Sequence, residues 1–141
     1  MARKVLDISI ELEQSVIGIS SPLKAWQVAW HLNRVLGLDF RRDEDYGLFL
    51  GRSKQLSYFQ KFSCELAELE CWLHLVANRG SDGLLVPELA KTFDYFLLFD
   101  EVPGMLEAHE LLATLKSAQV FTLAVAVDTH EKLRSKQHLV F

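Results

Sequence analysis

Residues 5–13 alternate cleanly, with Leu6, Ile8, Ile10 and Leu12 on one face and Asp7, Ser9, Glu11 and Glu13 on the other. A period of two is the mark of a half-buried β-strand. Val16, Ile17 and Ile19 follow Gln14-Ser15 with the alternation shifted by one, as a bulge or tight turn would produce. The period then lengthens. Ser21-Pro22 offers a hydroxyl for an N-cap and a proline for a first helical turn. Beyond it Ala25, Ala29, Leu32 and Leu36 line one side of a helix, and Lys24, Gln27, His31 and Arg34 the other. Gly37 stands where a left-handed C-cap is wanted. Trp26 and Trp30, one turn apart, flank the apolar stripe, and that position predicts that they pack as core.

Two dense apolar runs dominate the middle of the chain, Leu84–Val86 and Tyr95–Phe99. Both read as strands buried on both faces. Pro87 cannot donate to a ladder, so the first run ends at Val86, and Pro87 to Thr92 reads as one short helical turn. Such a connection is too short for a parallel crossover. Upstream, Phe40-Arg41-Arg42 suits a short strand, Asp43-Glu44-Asp45 a solvated turn, and Leu56 to Phe62 a strand. Residues 66–77 fit a helix through Leu66, Leu69, Leu73 and Val76, or a strand through Leu69, Cys71, Leu73, Leu75 and Ala77. The turn signal Arg79-Gly80-Ser81-Asp82-Gly83 favours the strand, paired as a hairpin with the run ending at Val86.

Downstream, Ala108, Leu111, Leu112, Leu115 and Ala118 recur at helical spacing, and Val120 to Val127 returns to strand character. Asp128-Thr129-His130-Glu131 resembles a capping box opening a short helix. Leu139-Val140-Phe141 forms a last apolar segment, expected to add a strand to the sheet. The sum is an α+β fold in one domain, residues 1–141: a mostly antiparallel sheet of six or seven strands covered by two main helices and one short helix.

Composition narrows the function classes. Half of the 141 residues are hydrophobic, which belongs to a packed core rather than a disordered chain. The formal net charge of −4, with no basic block longer than a pair, argues against nucleic acid as a partner. Sheet-borne aromatics such as Tyr58 and Phe59 are the one feature in favour of RNA. The opening Met-Ala-Arg-Lys-Val-Leu-Asp meets charge before an apolar signal region can form, and no apolar run approaches the roughly 20 residues of a membrane span. A cytoplasmic, reducing location is expected, with Cys64 and Cys71 as free thiols.

Chemistry is sparse. The histidines at 31, 74, 109, 130 and 138 have no Cys, His or Glu at metal-ligand spacing on a clear element, and the two cysteines lack a second pair, so no metal and no cofactor is implied. His31 and His109 read as surface residues. No nucleophile elbow, phosphate loop or dinucleotide fingerprint is present. The candidate ligand or partner contacts are Glu88 and Asp94, carboxylates abutting buried strands, with Tyr95, Trp26 and Trp30. Against that stand plainer roles: Glu88 stabilising a helical turn, Asp94 bonding a loop.

Val86-Pro87-Glu88 followed by Phe93-Asp94-Tyr95 resembles the motif of the IPExxxVDY family of small bacterial proteins. Val replaces Ile, Phe replaces Val, and four residues rather than three separate the halves. The resemblance extends to the Ala-Trp helix before Leu36-Gly37 and to the tail ending Leu-Val-Phe. It implies a bacterial cytoplasmic protein and transfers no catalytic residue.

Two function classes follow. The first is a non-enzymatic binding or protein-interaction domain, acting as a homodimer or through a protein partner, because aromatic residues exceed an obvious core need. The second is a small-ligand-binding protein or enzyme with a pocket near Glu88 and Asp94.

Overall fold

A computed structural model describes residues 14–49, 56–81, 83–86 and 92–127. The first strand read at 5–13, all but the last residue of the helical turn read at Pro87 to Thr92, the short helix after Asp128 and the apolar segment 139–141 lie outside the described residues. The fold is α+β. Six strands form one sheet in the order β2-β5-β6-β7-β1-β8, where β1 is Ser15–Ser20, β2 Arg41–Arg42, β5 Lys61–Leu66, β6 Cys71–Ala77, β7 Tyr95–Phe99 and β8 Leu123–Ala126. Every ladder in it is antiparallel. A hairpin of β3, Tyr46–Phe49, and β4, Leu56–Phe59, makes a second, two-stranded sheet. The described residues also form two α-helices, α1 at Ala25–Leu36 and α2 at Ala108–Ala118, and a 3-10 turn at Ala67–Leu69. No helix among the described residues is long and apolar enough to cross a membrane.

The central strand β7 is buried at all five positions, which is why its sequence runs apolar without alternation. Tyr95, Leu97 and Phe99 face one cluster, which α1 and α2 cover; Phe96 and Leu98 face the other. That second cluster joins Val16 and Val76 to Tyr46, Leu48 and Phe59 of the hairpin, and to Leu85, Val86 and Phe93. The described residues are therefore layered: helices, main sheet, then a cap made of the β3–β4 hairpin with Leu85, Val86 and Phe93.

Four local expectations are corrected. Leu84–Val86 is not a strand: the place beside β6 is taken by β7, and the segment folds over the sheet with Leu85 and Val86 buried. Among the described residues the predicted hairpin is reduced to one bridge, Arg79 to Leu84, with the Leu85 N–H donating to the Asn78 carbonyl and the Gly80 N–H to that of Gly83. Asn78 replaces the missing ladder. Its side chain accepts from the Val86 N–H at 2.7 Å and donates to the carbonyls of Val86 and Phe93 at 3.3 and 3.1 Å. The strand read at Leu56–Phe62 breaks at Gln60, where the chain leaves the hairpin to enter the main sheet as β5.

Helix α1 starts at Ala25 rather than Ser21. Ser21 Oγ instead accepts from the Leu23 N–H, while the Lys24 N–H is met by Gln27 Oε1. Trp26 and Trp30 are 60% and 51% exposed, not core. The buried stripe is Ala25, Val28, Ala29 and Leu32, whose modest side chains seat the helix against the sheet and leave the indoles outside. Gly37 does take the left-handed C-cap, φ 67°, and its N–H bonds Asn33 O. Residues 71–77 are a strand, flanked by β5 and β7.

Candidate functional site

Among the described residues the cap covers only part of the second face. Beyond its edge the same face carries polar residues, because alternate positions on a strand share a face. On β5 these are Lys61, Ser63 and Glu65, and on β6 Trp72 and His74, opposite in parity to the buried Cys64, Leu73 and Leu75. The ladder sets Ser63 beside His74 and Glu65 beside Trp72. Asp100 follows Phe99, the partner of Leu73, so it stands on the other side of Trp72. The turn between β2 and β3 brings in Asp43.

A hydrogen-bonded chain crosses this surface. Ser63 Oγ donates to Asp43 Oδ2 at 2.7 Å and lies 2.8 Å from His74 Nδ1. The serine has one proton and an ionised carboxylate only accepts, so that proton belongs to the Asp43 bond and His74 Nδ1–H donates to Ser63. Hydrogen bonding from Ser63 holds the Asp43 carboxyl below the usual range, against its desolvation, with help from the Glu44 N–H and from Lys61 Nζ at 3.5 Å. Burial pushes the His74 imidazole down to about 4; the Lys61 charge adds to that, and Asp43 and Asp100 oppose it. His74 is thus neutral at pH 7, and the Trp72 ring stacks parallel to it, 3° between planes and 6.1 Å between centroids.

Two hollows adjoin here, sharing Asp43 and Trp72 in their walls. One, of about 390 Å³, reaches from Ser63 and Glu65 to the β2 arginines, Arg41 and Arg42. These are already engaged, Arg41 with Asp39 and Arg42 with Asp45. The other, of about 380 Å³, is walled by Asp43, Glu70, Cys71, Trp72, His74, Asp100 and Gln14. Trp72 remains 47% exposed. Glu70 holds a left-handed backbone, φ 52°, at the end of the 3-10 turn, a conformation that costs a non-glycine residue free energy. Such sizes fall in the range of small-molecule sites. The chemistry of the Asp43-Ser63-His74 chain suits binding better than nucleophilic attack. The serine proton points to a carboxylate rather than to a base, and an imidazole held near 4 is a weak proton acceptor at neutral pH.

The residues singled out from sequence lie elsewhere. Asp94 Oδ2 accepts from the Ser21 N–H at 2.9 Å, and the buried Tyr95 donates its phenol to the Leu23 carbonyl at 2.6 Å. Burial raises the Tyr95 pKa, and the Asp94 charge adds to the shift. Together they fasten β7 to the loop entering α1, the plainer role weighed for Asp94. Trp26 and Trp30 stand on the outer side of that helix, the Arg34 guanidinium 5.4 Å from the Trp30 ring centre and His31 edge-on to both Trp30 and Phe121. Glu88 lies outside the described residues. Tyr58 is exposed and its neighbour Phe59 fully buried, so the two rings do not form a shared stacking platform. Glu107, His109 and Glu110 bring ligand atoms within 4.8 Å of one another, a cluster their spacing had not suggested, at the exposed start of α2.

No protein-family model matches the chain, and no curated protein matches it.

Proposed function

We propose that this chain is a non-enzymatic binding domain whose ligand is a small molecule seated over Trp72 and His74. One observation carries the reading. On the uncapped part of a rigid sheet, a half-exposed indole lies against a neutral imidazole, and a hydrogen-bonded serine and aspartate fix that imidazole. Sites placed on strands hold their side chains better than sites on loops. The resemblance to the IPExxxVDY family belongs to the same proposal, and with it a bacterial, cytoplasmic setting. A thermal-shift screen of metabolites tests it. Ligand at a hundred times its dissociation constant adds about 2.7 kcal/mol of stability. The expected result is a hit whose shift disappears in Trp72→Leu; hits that all survive that substitution would overturn the placement.

A second reading has its own support. The outer face of α1 exposes two indoles, and aromatic residues so placed are frequent at protein interfaces. We propose homodimerisation through that face as the rival account. Sedimentation velocity over a range of concentrations tests it: a concentration-dependent dimer lost in Trp26→Ala/Trp30→Ala supports it, and a strict monomer removes it.

A further inference from the structure

We infer that the ligand of the Trp72 hollow is a small organic cation, carrying an alkylammonium or guanidinium group; this rests on the binding reading above. The wall of the hollow supplies the charge. Asp43, Glu70 and Asp100 line it and, among the described residues, no cationic side chain does, while His74 is neutral. Asp43 is matched by Lys61, but Glu70 and Asp100 make no ion pair among the described residues, nor does Glu65 on the far side of Trp72. Neighbouring strands lie about 4.8 Å apart. Glu65 on β5, Trp72 on β6 and Asp100 after β7 therefore form a transverse row, an indole between two carboxylates.

The His74 ring lies parallel to the indole with its centroid 6.1 Å away, and the Trp72 residue is 47% exposed, so ring surface remains for a cation. A cation over a tryptophan face is attracted by the ring quadrupole, and adjacent carboxylates add to it. A metal ion fits poorly. A hard divalent cation needs several oxygens at once, and Glu107, His109 and Glu110 are the one set among the described residues with three ligand atoms within 4.8 Å. The carboxylates of the hollow are too widely spread for one ion, but they suit a charge distributed over an organic group. Gln14 Oε1, buried at this wall without a partner among the described residues, adds an acceptor that a donor group would satisfy.

Calorimetric titration with choline, and with its neutral isostere 3,3-dimethylbutan-1-ol, tests the inference. Choline should bind more tightly than the alcohol by about fivefold or more. Its affinity should fall about threefold to fivefold in Trp72→Leu and about twofold to fivefold in Asp100→Asn, and should weaken as salt rises. Both side chains are exposed, so neither substitution threatens the fold. Nα-acetyl-lysine methylamide in place of choline asks whether the ammonium belongs to a peptide, and tighter binding of that probe keeps the cation and assigns its source. Equal binding of choline and the alcohol, both lost in Trp72→Leu, would retain the pocket and overturn the cation. Choline binding unchanged in Trp72→Leu and Asp100→Asn would overturn both.

Discussion

Val76, His74 and Trp72 occupy successive positions on one face of β6, yet Val76 is fully buried and Trp72 is 47% exposed. The strand is the same; what stands over it differs. Above Val76 lie the hairpin and the segment held by Asn78, an apolar lid with Tyr46, Leu48, Phe59, Leu85 and Phe93 packed beneath it. Above Trp72 and His74 there is a hollow with acidic walls. Where the lid reaches, β-strand alternation gives hydrophobic residues on both faces; where it stops, alternation gives serine, histidine and carboxylates. The boundary between structure and candidate site is thus the edge of the lid, crossed within two residues of one strand.

If that contrast holds, damage to the lid should cost stability and damage to the hollow should cost binding. The largest effect is expected from Asn78→Ala. It strands the Val86 N–H and the carbonyls of Val86 and Phe93 in a buried place, at a cost on the order of 3–5 kcal/mol, read as a fall in the urea midpoint. Gly18→Ala comes next. A Cβ there would sit 2.5 Å from the Phe93 ring, which is buried and would have to shift. Overpacking of this kind costs about 1–3 kcal/mol.

The hollow enters through pH. The folded protein holds His74 near 4 while the unfolded chain titrates at 6.5. Between those values the unfolded state binds more protons, so stability is full above 6.5 and is lost as pH falls towards 4. The loss amounts to at most about 3 kcal/mol, less the screening due to a partly accessible ring. Stability curves for His74→Gln should be flatter than the parent across that window. Asp43 acts lower: its depressed pKa adds stability that is present above 3.8 and disappears as pH falls below it.

The smallest effect separates the two roles. Glu70→Gly removes a left-handed non-glycine residue and should raise stability by about 0.5–1 kcal/mol, while weakening a cationic ligand. A gain in melting temperature with unchanged choline affinity would take Glu70 out of the site.

Much of the layering was legible from residues. The periods of α1 and α2, the glycine cap at Gly37 and the unbroken apolar run of β7 each state a local preference that the fold keeps. Leu84–Val86 was misread because apolar runs of three look alike whether they sit in a sheet or on it, and the side chain that decides the matter, Asn78, acts from eight residues away. The tryptophans of α1 were misassigned because the buried stripe is narrower than the apolar composition suggests. The site was the least legible part. His74 lies in a stretch whose apolar spacing fits helix and strand alike; the turn signal favours the strand, and strand parity sets His74 with Trp72 opposite Leu73 and Leu75. No local signal joins Asp43 to Ser63 or Ser63 to His74, which lie 20 and 11 residues apart and meet through the ladder.

The most direct test of the central claim, that binding belongs to the uncapped end of the second face, is an NMR titration with choline followed residue by residue. The account predicts shifts at Ser63, Glu65, Glu70, Trp72, His74 and Asp100, with Leu48, Phe59, Val76 and Leu85 unmoved. Shifts gathered instead on Trp26 and Trp30, or none at the uncapped end, would contradict it.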